Sequence, residues 1–462
     1  MEIKYIGTEY EKELGEIASL FFPTFDAEED TNKIVFEALN GKNVVVINDK
    51  KYEFPLSLEK RKSDEKNALY LALSDYFKKT FEWGSITGVR PTKIGYDLLE
   101  KGVPKYLLKE TLMKDYHLSE QKAKLVKDTI SNQNCIIRND NLVDIFINIP
   151  ICPSRCRYCS FISSQFDQVK SKISPYLECL LKEIDSVKKI ISEKNLIVRS
   201  IYMGGGTPTV LSAEELELIL GKLTYPSVEF TVEAGRPDTI SREKLEVLKR
   251  NNVTRICVNP QTFCEKTLKQ IGRNHTVKDV VSAYMLAMEF GFDINIDLIA
   301  GLPGEKFANF KKSIETAIEM APANLTVHTL ALKRGSNLTN EAIKNNETQS
   351  FNCPPPEEVK KMIDYSNRRL LEEGYHPYYL YKQKNTPLGL ENVGYTQKGH
   401  VCIFNVDSME ETCSVLACGA NAISKRVFSL ENRIERCCNV KFIEDYISRI
   451  DEMIERKQEL FK

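Results

Sequence analysis

The stretch Asp144–Phe161, DIFINIPICPSRCRYCSF, indicates the fold of the region around it. It opens with the run DIFINI, whose alternating isoleucines are typical of a buried strand. Three cysteines follow closely, Cys152, Cys156 and Cys159, separated by three and then two residues. The stretch therefore predicts a strand that ends at a cluster of thiols.

Apolar runs of the same kind recur through residues 141–332, and each ends in a turn rich in Gly or Pro. They are SIYMGG from Ser200, VEFTVEAG from Val228, RICVNPQT from Arg255, INIDLIAG from Ile294 and NLTVHTLAL from Asn324. Amphipathic segments separate them, and Ser212 and Ser241 stand where helix N-caps are expected. Alternation of strand and helix predicts a parallel sheet with right-handed crossovers.

Six such units in about 190 residues fall short of the ~250 residues that a closed eight-unit barrel occupies. We therefore predict an α/β protein with a partial (β/α)6 barrel over residues 141–332; a doubly wound open sheet is the alternative. Residues 1–140 predict an α+β accessory domain, with a hairpin turning near Asn48 and helices over Glu65–Phe81 and Lys105–Asn132. Residues 333–462 predict a mixed α+β carboxyl-terminal domain.

Composition excludes some classes of protein. The chain has 462 residues, with 64 Lys and Arg against 65 Asp and Glu, so it lacks the positive surplus of a broadly nucleic-acid-binding protein. The start, MEIKYIGTEYEKELGEIASLFF, predicts neither a signal peptide nor a membrane span. We therefore expect a cytoplasmic protein, whose 13 cysteines are thiols.

The cysteine spacing favours an iron–sulfur cluster. Three thiolates can hold three irons of a [4Fe–4S] cluster and leave the fourth iron open to another ligand. The alternative is structural zinc, but such sites take four protein ligands, and no fourth Cys or His lies within about ten residues. The later cysteines (Cys402, Cys413, Cys418, Cys437 and Cys438) match no common metal spacing, and we expect them to pack as small apolar side chains.

Several motifs carry a family resemblance. The cysteine spacing, with an aromatic residue before the third Cys, resembles the radical S-adenosylmethionine (SAM) superfamily. The segments FINIPICPSRCRYCSF, YMGGGTPTVL, TVEAGRPDTI and INIDLIAGLPG resemble the oxygen-independent coproporphyrinogen III oxidase family. WGSITGVRPTK, VHTLALKRGSNL and LACGANAISK are similar to its HemZ-type coproporphyrinogen dehydrogenase branch. The resemblance covers nearly the whole chain and implies a radical-SAM barrel.

The resemblance also implies a set of site residues. The three cysteines would be the metal ligands of a catalytic [4Fe–4S] cluster. The residues implied in SAM binding are Tyr158, Gly205, Gly206, Thr207, Glu233, Gln261, Arg273, Asp297 and Ala331. Independently of the family, consecutive glycines let a backbone approach a ligand closely, and polar side chains at strand ends converge on one.

A basic group follows the sixth apolar run. His328, Lys333 and Arg334 would suit a substrate that carries carboxylates, because cationic side chains pair with them; a solvated turn is the equal alternative. Arg90, Lys93 and Arg236 are further candidates.

The reaction that the resemblance implies is oxidative decarboxylation of coproporphyrinogen III. A SAM-derived radical removes hydrogen from a propionate, and loss of CO2 and one electron leaves a vinyl group; two such steps give protoporphyrinogen IX. The implied partners are the tetrapyrrole and an electron donor such as flavodoxin or ferredoxin.

Two other functions remain open. The related haem chaperones keep the barrel and the cluster, and the run Cys159-Ser160-Phe161 is closer to theirs. Against this, Glu391–Thr396 lacks the His and Trp of their His-Asn-x-x-Tyr-Trp motif. The other alternative is radical chemistry on a different tetrapyrrole.

Overall fold

The computed structural model describes residues 2–22, 32–39, 41–57, 59, 61–161, 163–225, 227–333, 335–344, 352–384, 386–429 and 431–462. The strands are β1 (Glu2–Ile6), β2 (Lys33–Leu39), β3 (Lys42–Ile47), β4 (Lys50–Pro55), β5 (Leu142–Ile149), β6 (Ile151–Cys152), β7 (Ser164–Gln165), β8 (Ile197–Gly205), β9 (Glu229–Glu233), β10 (Arg255–Cys257), β11 (Asp293–Ala300), β12 (Asn324–Thr329), β13 (His376–Lys382), β14 (Glu391–Thr396), β15 (Ser414–Cys418), β16 (Ile423–Phe428) and β17 (Arg433–Cys438).

The helices are α1 (Glu11–Phe21), α2 (Arg61–Phe77), α3 (Pro91–Glu100), α4 (Leu108–Tyr116), α5 (Glu120–Asn132), α6 (Phe166–Val169), α7 (Ile173–Glu193), α8 (Ala213–Leu220), α9 (Arg242–Arg250), α10 (Glu265–Gln270), α11 (Val277–Met288), α12 (Phe307–Glu319), α13 (Asn337–Lys344), α14 (Pro356–Glu372), α15 (Ile403–Glu410), α16 (Ile443–Ser448) and α17 (Ile450–Leu460). Among the described residues, no helix is both long and apolar enough to span a membrane.

The chain folds into two compact units, each packed mainly against itself. Unit 1 comprises Met1–Ser131 and Leu380–Glu391, and unit 2 comprises Asn132–Tyr379 and Asn392–Lys462.

Unit 1 is built on a small sheet. Its described strands pair in the order β1-β2-β3-β4, with β1 parallel to β2 and the other pairs antiparallel. The hairpin between β3 and β4 turns at Asn48, as the sequence predicts, and Asn48 adopts the left-handed conformation that such turns favour (φ 51°). Residues from α1, α2 and the sheet form one apolar core. The segment predicted as helix over Lys105–Asn132 is broken at His117, where φ is 59°.

Unit 2 contains the predicted parallel sheet. Within its described residues, β5, β8, β9, β10, β11 and β12 lie side by side in chain order, and each neighbouring pair is parallel. With right-handed crossovers, sequential order places every crossover on the same face of the sheet, as in a (β/α) barrel. A doubly wound sheet reverses its strand order at a switch point, so the alternative is wrong. The α/β fold with a partial barrel is confirmed.

Both edges of this sheet are extended by residues that follow Leu332. β14 pairs antiparallel with β12, and β15 pairs parallel with β5, with Ser414 opposite Val143. β16 and β17 continue the sheet beyond β15. The cysteine-bearing end of β5 is therefore flanked by β8 on one side and by β15 on the other.

Two helix starts agree with the sequence. Ser212 accepts the Glu215 N–H, and Glu215 accepts the Ser212 N–H, so a capping box begins α8. Ser241 accepts the Lys244 N–H at the start of α9. These caps fix where each helix departs from the strand before it.

Candidate cluster and cofactor site

The three cysteines lie on one loop at the carboxyl end of β5. Cys156 is buried, Cys152 and Cys159 are partly buried, and the Cys159 N–H donates to the Cys156 carbonyl at 3.1 Å. Burial raises the pKa of Cys159 to about 11, and the neighbouring Cys156 and Cys152 add to the shift because like charges repel. Three thiols on one short segment form a donor set that suits an iron–sulfur cluster, because thiolates are the protein ligands of such clusters.

Arginines brace this cluster loop (residues 152–159). The buried Arg236 donates from Nη1 to the Ser154 carbonyl at 3.3 Å and to its Oγ at 3.0 Å, and it pairs with Asp238 at 3.2 Å. The backbone N–H of Arg157 donates to the Ile271 carbonyl at 3.0 Å. Arg236, a candidate substrate residue from sequence, thus contacts the loop that carries the cysteines.

The glycine run packs against the same loop. The Thr207 Oγ1 donates to the Cys152 Sγ at 3.7 Å, and its N–H donates to the Ile151 carbonyl at 2.8 Å. A Cβ on Gly205 (φ 104°) would lie 1.8 Å from Asn148 Oδ1, and one on Gly206 would lie 2.5 Å from the Ile151 carbonyl. At these two glycines, the atoms that come too close for a Cβ belong to the protein itself, to Asn148 and Ile151.

Arg273 contacts Tyr158, the aromatic residue of the cysteine motif. It is 6% exposed and donates to the carbonyls of Asn259 and Gly235, the latter at 3.2 Å, and to the Tyr158 hydroxyl at 3.4 Å. Tyr158 packs on an apolar group formed by Ile271, Ile299, Leu302 and Leu330. Ala331 directly follows that group and is partly buried.

Gln261 does not end a strand, because β10 stops at Cys257. It forms an isolated bridge to Leu298, with its N–H on the Asp297 carbonyl at 3.0 Å. Its φ is 69°, an uncommon conformation for a residue with a side chain, and its buried Oε1 has no partner among the described residues. Strained backbone with an unsatisfied acceptor is frequent at ligand sites.

An inner cavity of about 220 Å³ lies on one face of the barrel sheet. It brings together three residues predicted from sequence, Glu233, Asp297 and His328. The His328 Nε2 is 3.8 Å from the Asp297 Oδ2. Burial raises the pKa of Glu233 to about 7. Burial opposes ionisation of Asp297, but His328, Asn295 and Thr326 lower its pKa overall.

Sequence reasoning missed most of this lining. The remaining residues are Phe161, Tyr202, Thr231, Arg255, Cys257, Asn295, Asn324, Thr326, Tyr378, Tyr379, Cys402 and Asn405. A signal was present, because polar residues occupy alternate positions of β9, β11 and β12, and alternate positions share a face. Asn324, Thr326 and His328 show this pattern along one strand.

Lys333 is not among the described residues that line this cavity. Lys333 is partly buried beyond β12, and burial lowers its pKa while Cys159 opposes the shift, so its ammonium lies near the cluster loop. Arg334 lies outside the described residues.

Comparisons with known proteins agree with this fold. A family model described as the radical SAM superfamily matches residues 147–317. The chain is 37% identical over 398 residues to the oxygen-independent coproporphyrinogen-III oxidase-like protein HemZ of Bacillus subtilis (strain 168), which covers 83% of this chain and 78% of HemZ. It is 33% identical over 240 residues to the haem chaperone HemW of the same organism, which covers 50% of this chain and 61% of HemW.

Among solved structures, the radical SAM enzyme coproporphyrinogen III oxidase (HemN) from Escherichia coli has a TM-score of 0.55 at 20% identity, covering 69% of this chain and 71% of that one. At this identity the match supports the fold alone. The chain belongs to the radical SAM superfamily and, within it, to the family of HemZ-like proteins.

Membership of this superfamily brings its cofactors, a [4Fe–4S] cluster and SAM. The residues present fit them. The loop offers three thiols as cluster ligands, and the unsatisfied Gln261 Oε1 and the carboxyl groups of Glu233 and Asp297 offer polar contacts for an organic cofactor.

Proposed function

We propose that this protein catalyses the oxygen-independent oxidative decarboxylation of coproporphyrinogen III propionates to vinyl groups, as part of haem or porphyrin biosynthesis. The observation that carries the choice of substrate is the 37% identity to HemZ over 83% of the chain. Fold and cofactors alone do not distinguish this reaction from other radical SAM reactions, because many chemistries share them.

We propose a role for each of the site residues predicted from the sequence. Cys152, Cys156 and Cys159 would hold the cluster. For SAM we propose Tyr158, Gly205, Gly206, Thr207, Glu233, Gln261, Arg273, Asp297 and Ala331. When bound, the cluster and SAM supply the one-electron reduction that generates a carbon-centred radical able to remove hydrogen from the substrate.

The chain's own residues orient and shield the reactants. Arg236 and Arg157 fix the cluster loop, and the Thr207 hydroxyl is positioned beside Cys152. Most of the residues that line the inner cavity are buried, which limits the access of water to a radical formed there. His328, Lys333 and Arg334 would pair with substrate carboxylates. We place the reaction in the cytoplasm, with flavodoxin or ferredoxin as the electron donor.

The test is an anaerobic incubation of cluster-reconstituted protein with SAM, a strong reductant and coproporphyrinogen III, followed by mass spectrometry. We expect 5′-deoxyadenosine together with porphyrin products that have lost one and then two carboxyl groups. Deoxyadenosine with an unchanged porphyrin would refute the substrate and retain radical SAM activity.

A second candidate function is haem delivery. The observation that favours it is the 33% identity to HemW over half of the chain. Stoichiometric haem binding that persists without SAM, alongside absence of decarboxylated product, would select this function instead.

A further inference from the structure

A second cavity borders the cluster loop on its outer side. This loop cavity has a volume of about 210 Å³, and it is lined by Pro150, Arg155, Phe161, Ser163, Ser164, Lys441, Phe442 and Ile443. None of the roles proposed for the cluster ligands or for the SAM-binding residues involves this cavity.

Two exposed aromatic rings belong to its apolar lining, together with Pro150 and Ile443. Phe161 is 68% exposed and Phe442 is 58% exposed. Single exposed apolar residues are ordinary, but two phenylalanines from segments far apart in sequence line one concavity here. Such walls suit the face or edge of an aromatic ring system.

Two cations are the charged part of its lining. Arg155 lies between two of the cluster cysteines; its Nη2 donates to the Gly335 carbonyl at 2.8 Å, and its buried Nε has no partner among the described residues. Lys441 is exposed and has no ion pair within the described part of the chain. The nearby Glu444 is paired with Lys172. None of the described residues that line the cavity is acidic, so the cavity attracts an anion.

The loop cavity and the inner cavity share one lining residue. Phe161 lines both, so a molecule bound against this ring lies beside the space that contains Glu233, Asp297 and His328. At about 210 Å³ it is smaller than the ~300–1,000 Å³ of pockets that enclose a whole drug-sized ligand. It therefore has room for only a part of a large ligand.

We propose that the loop cavity docks one edge of the tetrapyrrole, with a ring against Phe161 and Phe442 and its carboxylate arm on Arg155 and Lys441. This inference rests on the proposed function, and it adds residues of the outer loops to the substrate site. Arg155 contributes a cation from the cluster loop, and Lys441 contributes a second cation from the carboxyl-terminal part of the chain.

The first experiment measures binding of coproporphyrin III, the stable oxidised form, by fluorescence titration. The variants are Lys441→Glu and Phe442→Ala. Their matched controls are Lys361→Glu, an exposed lysine on α14, and Leu218→Ala, which is 57% exposed on α8. We expect each test variant to bind at least about tenfold more weakly, because a charge-assisted contact or an aromatic wall is lost, and each control to bind as the wild type does.

The tetramethyl ester of the same porphyrin, which carries no carboxylate, tests the role of charge. The wild type should bind the ester about tenfold more weakly than the free acid, and Lys441→Glu should weaken ester binding no further. An equal loss by Lys441→Glu for acid and ester would overturn the assignment of Lys441 to a carboxylate.

Turnover separates this proposal from the proposed function. With coproporphyrinogen III, we expect Lys441→Glu and Phe442→Ala to raise KM about tenfold, with kcat and substrate-free SAM cleavage unchanged. A wild type that decarboxylates, with test variants that match the controls, would remove the docking site and leave the function standing. A wild type that neither binds nor converts the tetrapyrrole would remove both. Loss of activity with ferredoxin but not with a chemical reductant would make this surface the electron donor's and overturn the proposal.

Discussion

At the scale of single residues, the three thiols proposed as cluster ligands differ in their surroundings from other cysteines of the chain. Cys156 is 8% exposed, and Cys438, far along the chain on β17, is exposed. Both are thiols, but only Cys156 lies in the loop braced by Arg236 and Arg157. Position, rather than residue type, separates a proposed cluster ligand from an ordinary cysteine.

We predict that Cys156→Ser abolishes cluster assembly and SAM cleavage, because a three-thiolate site that loses one ligand cannot hold the cluster. Iron and sulfide content after anaerobic reconstitution, and deoxyadenosine formation, are the measurements. Cys438→Ser is the control and should match the wild type. Retention of SAM cleavage by Cys156→Ser would contradict the site.

A buried carboxyl group at the opposite end of β5 affects stability. Asp144 is fully buried beside Asp407, Cys413, Ser200 and Arg199, and burial raises its pKa to about 8. An Asp side chain in the unfolded chain has a pKa of about 3.9. Between this pKa and the folded pKa of about 8, the folded chain therefore holds a proton that the unfolded chain has released. Stability therefore falls as the pH rises from about 4 to about 8.

We predict that Asp144→Asn removes this pH dependence. The variant should gain melting temperature relative to the wild type at pH 8 and gain less, or lose, at pH 5. Thermal unfolding across that pH range is the measurement. A variant that loses more stability at pH 8 than at pH 5 would mean that the ionised carboxylate is favoured in the fold.

At the scale of elements, the carboxyl-terminal segment supports the strand that leads to the cluster loop. Asn148 of β5 donates to the Ala420 carbonyl, and a Cβ on Gly419 (φ 102°) would lie 2.3 Å from the Asn148 carbonyl. Glu183 of α7 accepts the Gly419 N–H at 2.7 Å, and Lys457 of α17 donates to Glu183 at 2.5 Å. Helix, turn and strand are thus joined by one buried polar network.

We predict that Lys457→Met strongly destabilises unit 2. It leaves the fully buried Glu183 without its cation, and breaking a buried pair from one side costs roughly 3–5 kcal/mol. The melting temperature should fall by several degrees. Lys182→Met is the control, because Lys182 pairs with Asp451 at an exposed position and should leave the melting temperature unchanged. Equal melting temperatures for the two variants would contradict the network's role.

At the scale of the whole molecule, the chain crosses between its two units more than once. Residues 380–391 belong with residues 1–131. Within unit 1, the buried Glu391 accepts from Lys122 at 2.6 Å and from the Trp83 indole at 2.9 Å, and the buried Lys382 donates to the Ile86 carbonyl at 2.9 Å. A cut after residue 131 therefore separates buried charges from their partners.

We predict that a chain starting at residue 132 is poorly soluble and melts below the full-length protein, since Glu391 and Lys382 lose the groups that satisfy them. Replacing residues 380–391 of that fragment by a short Gly/Ser linker should restore solubility. Soluble yield and thermal unfolding are the measurements. A simple truncation as stable as the whole chain would show that residues 380–391 do not depend on unit 1.

Local pattern alone was sufficient for the partial barrel, the cysteine loop, the hairpin at Asn48 and the caps Ser212 and Ser241. Each follows from side-chain periodicity or from a backbone preference that acts within a few residues. Three of the predicted polar residues, Glu233, Asp297 and His328, also share the inner cavity, because alternate residues of neighbouring parallel strands lie on the same face of the sheet.

Other features arose only from tertiary structure. The pairing of β15 with β5 joins residues about 270 positions apart, and no local signal encodes which strand an apolar run will join. The pairing of Phe161 with Phe442 in one cavity, and of Lys457 with Glu183, has the same origin. Burial, shared cavities and ion pairs are properties of surfaces brought together by folding, and their partners cannot be identified from spacing along the chain.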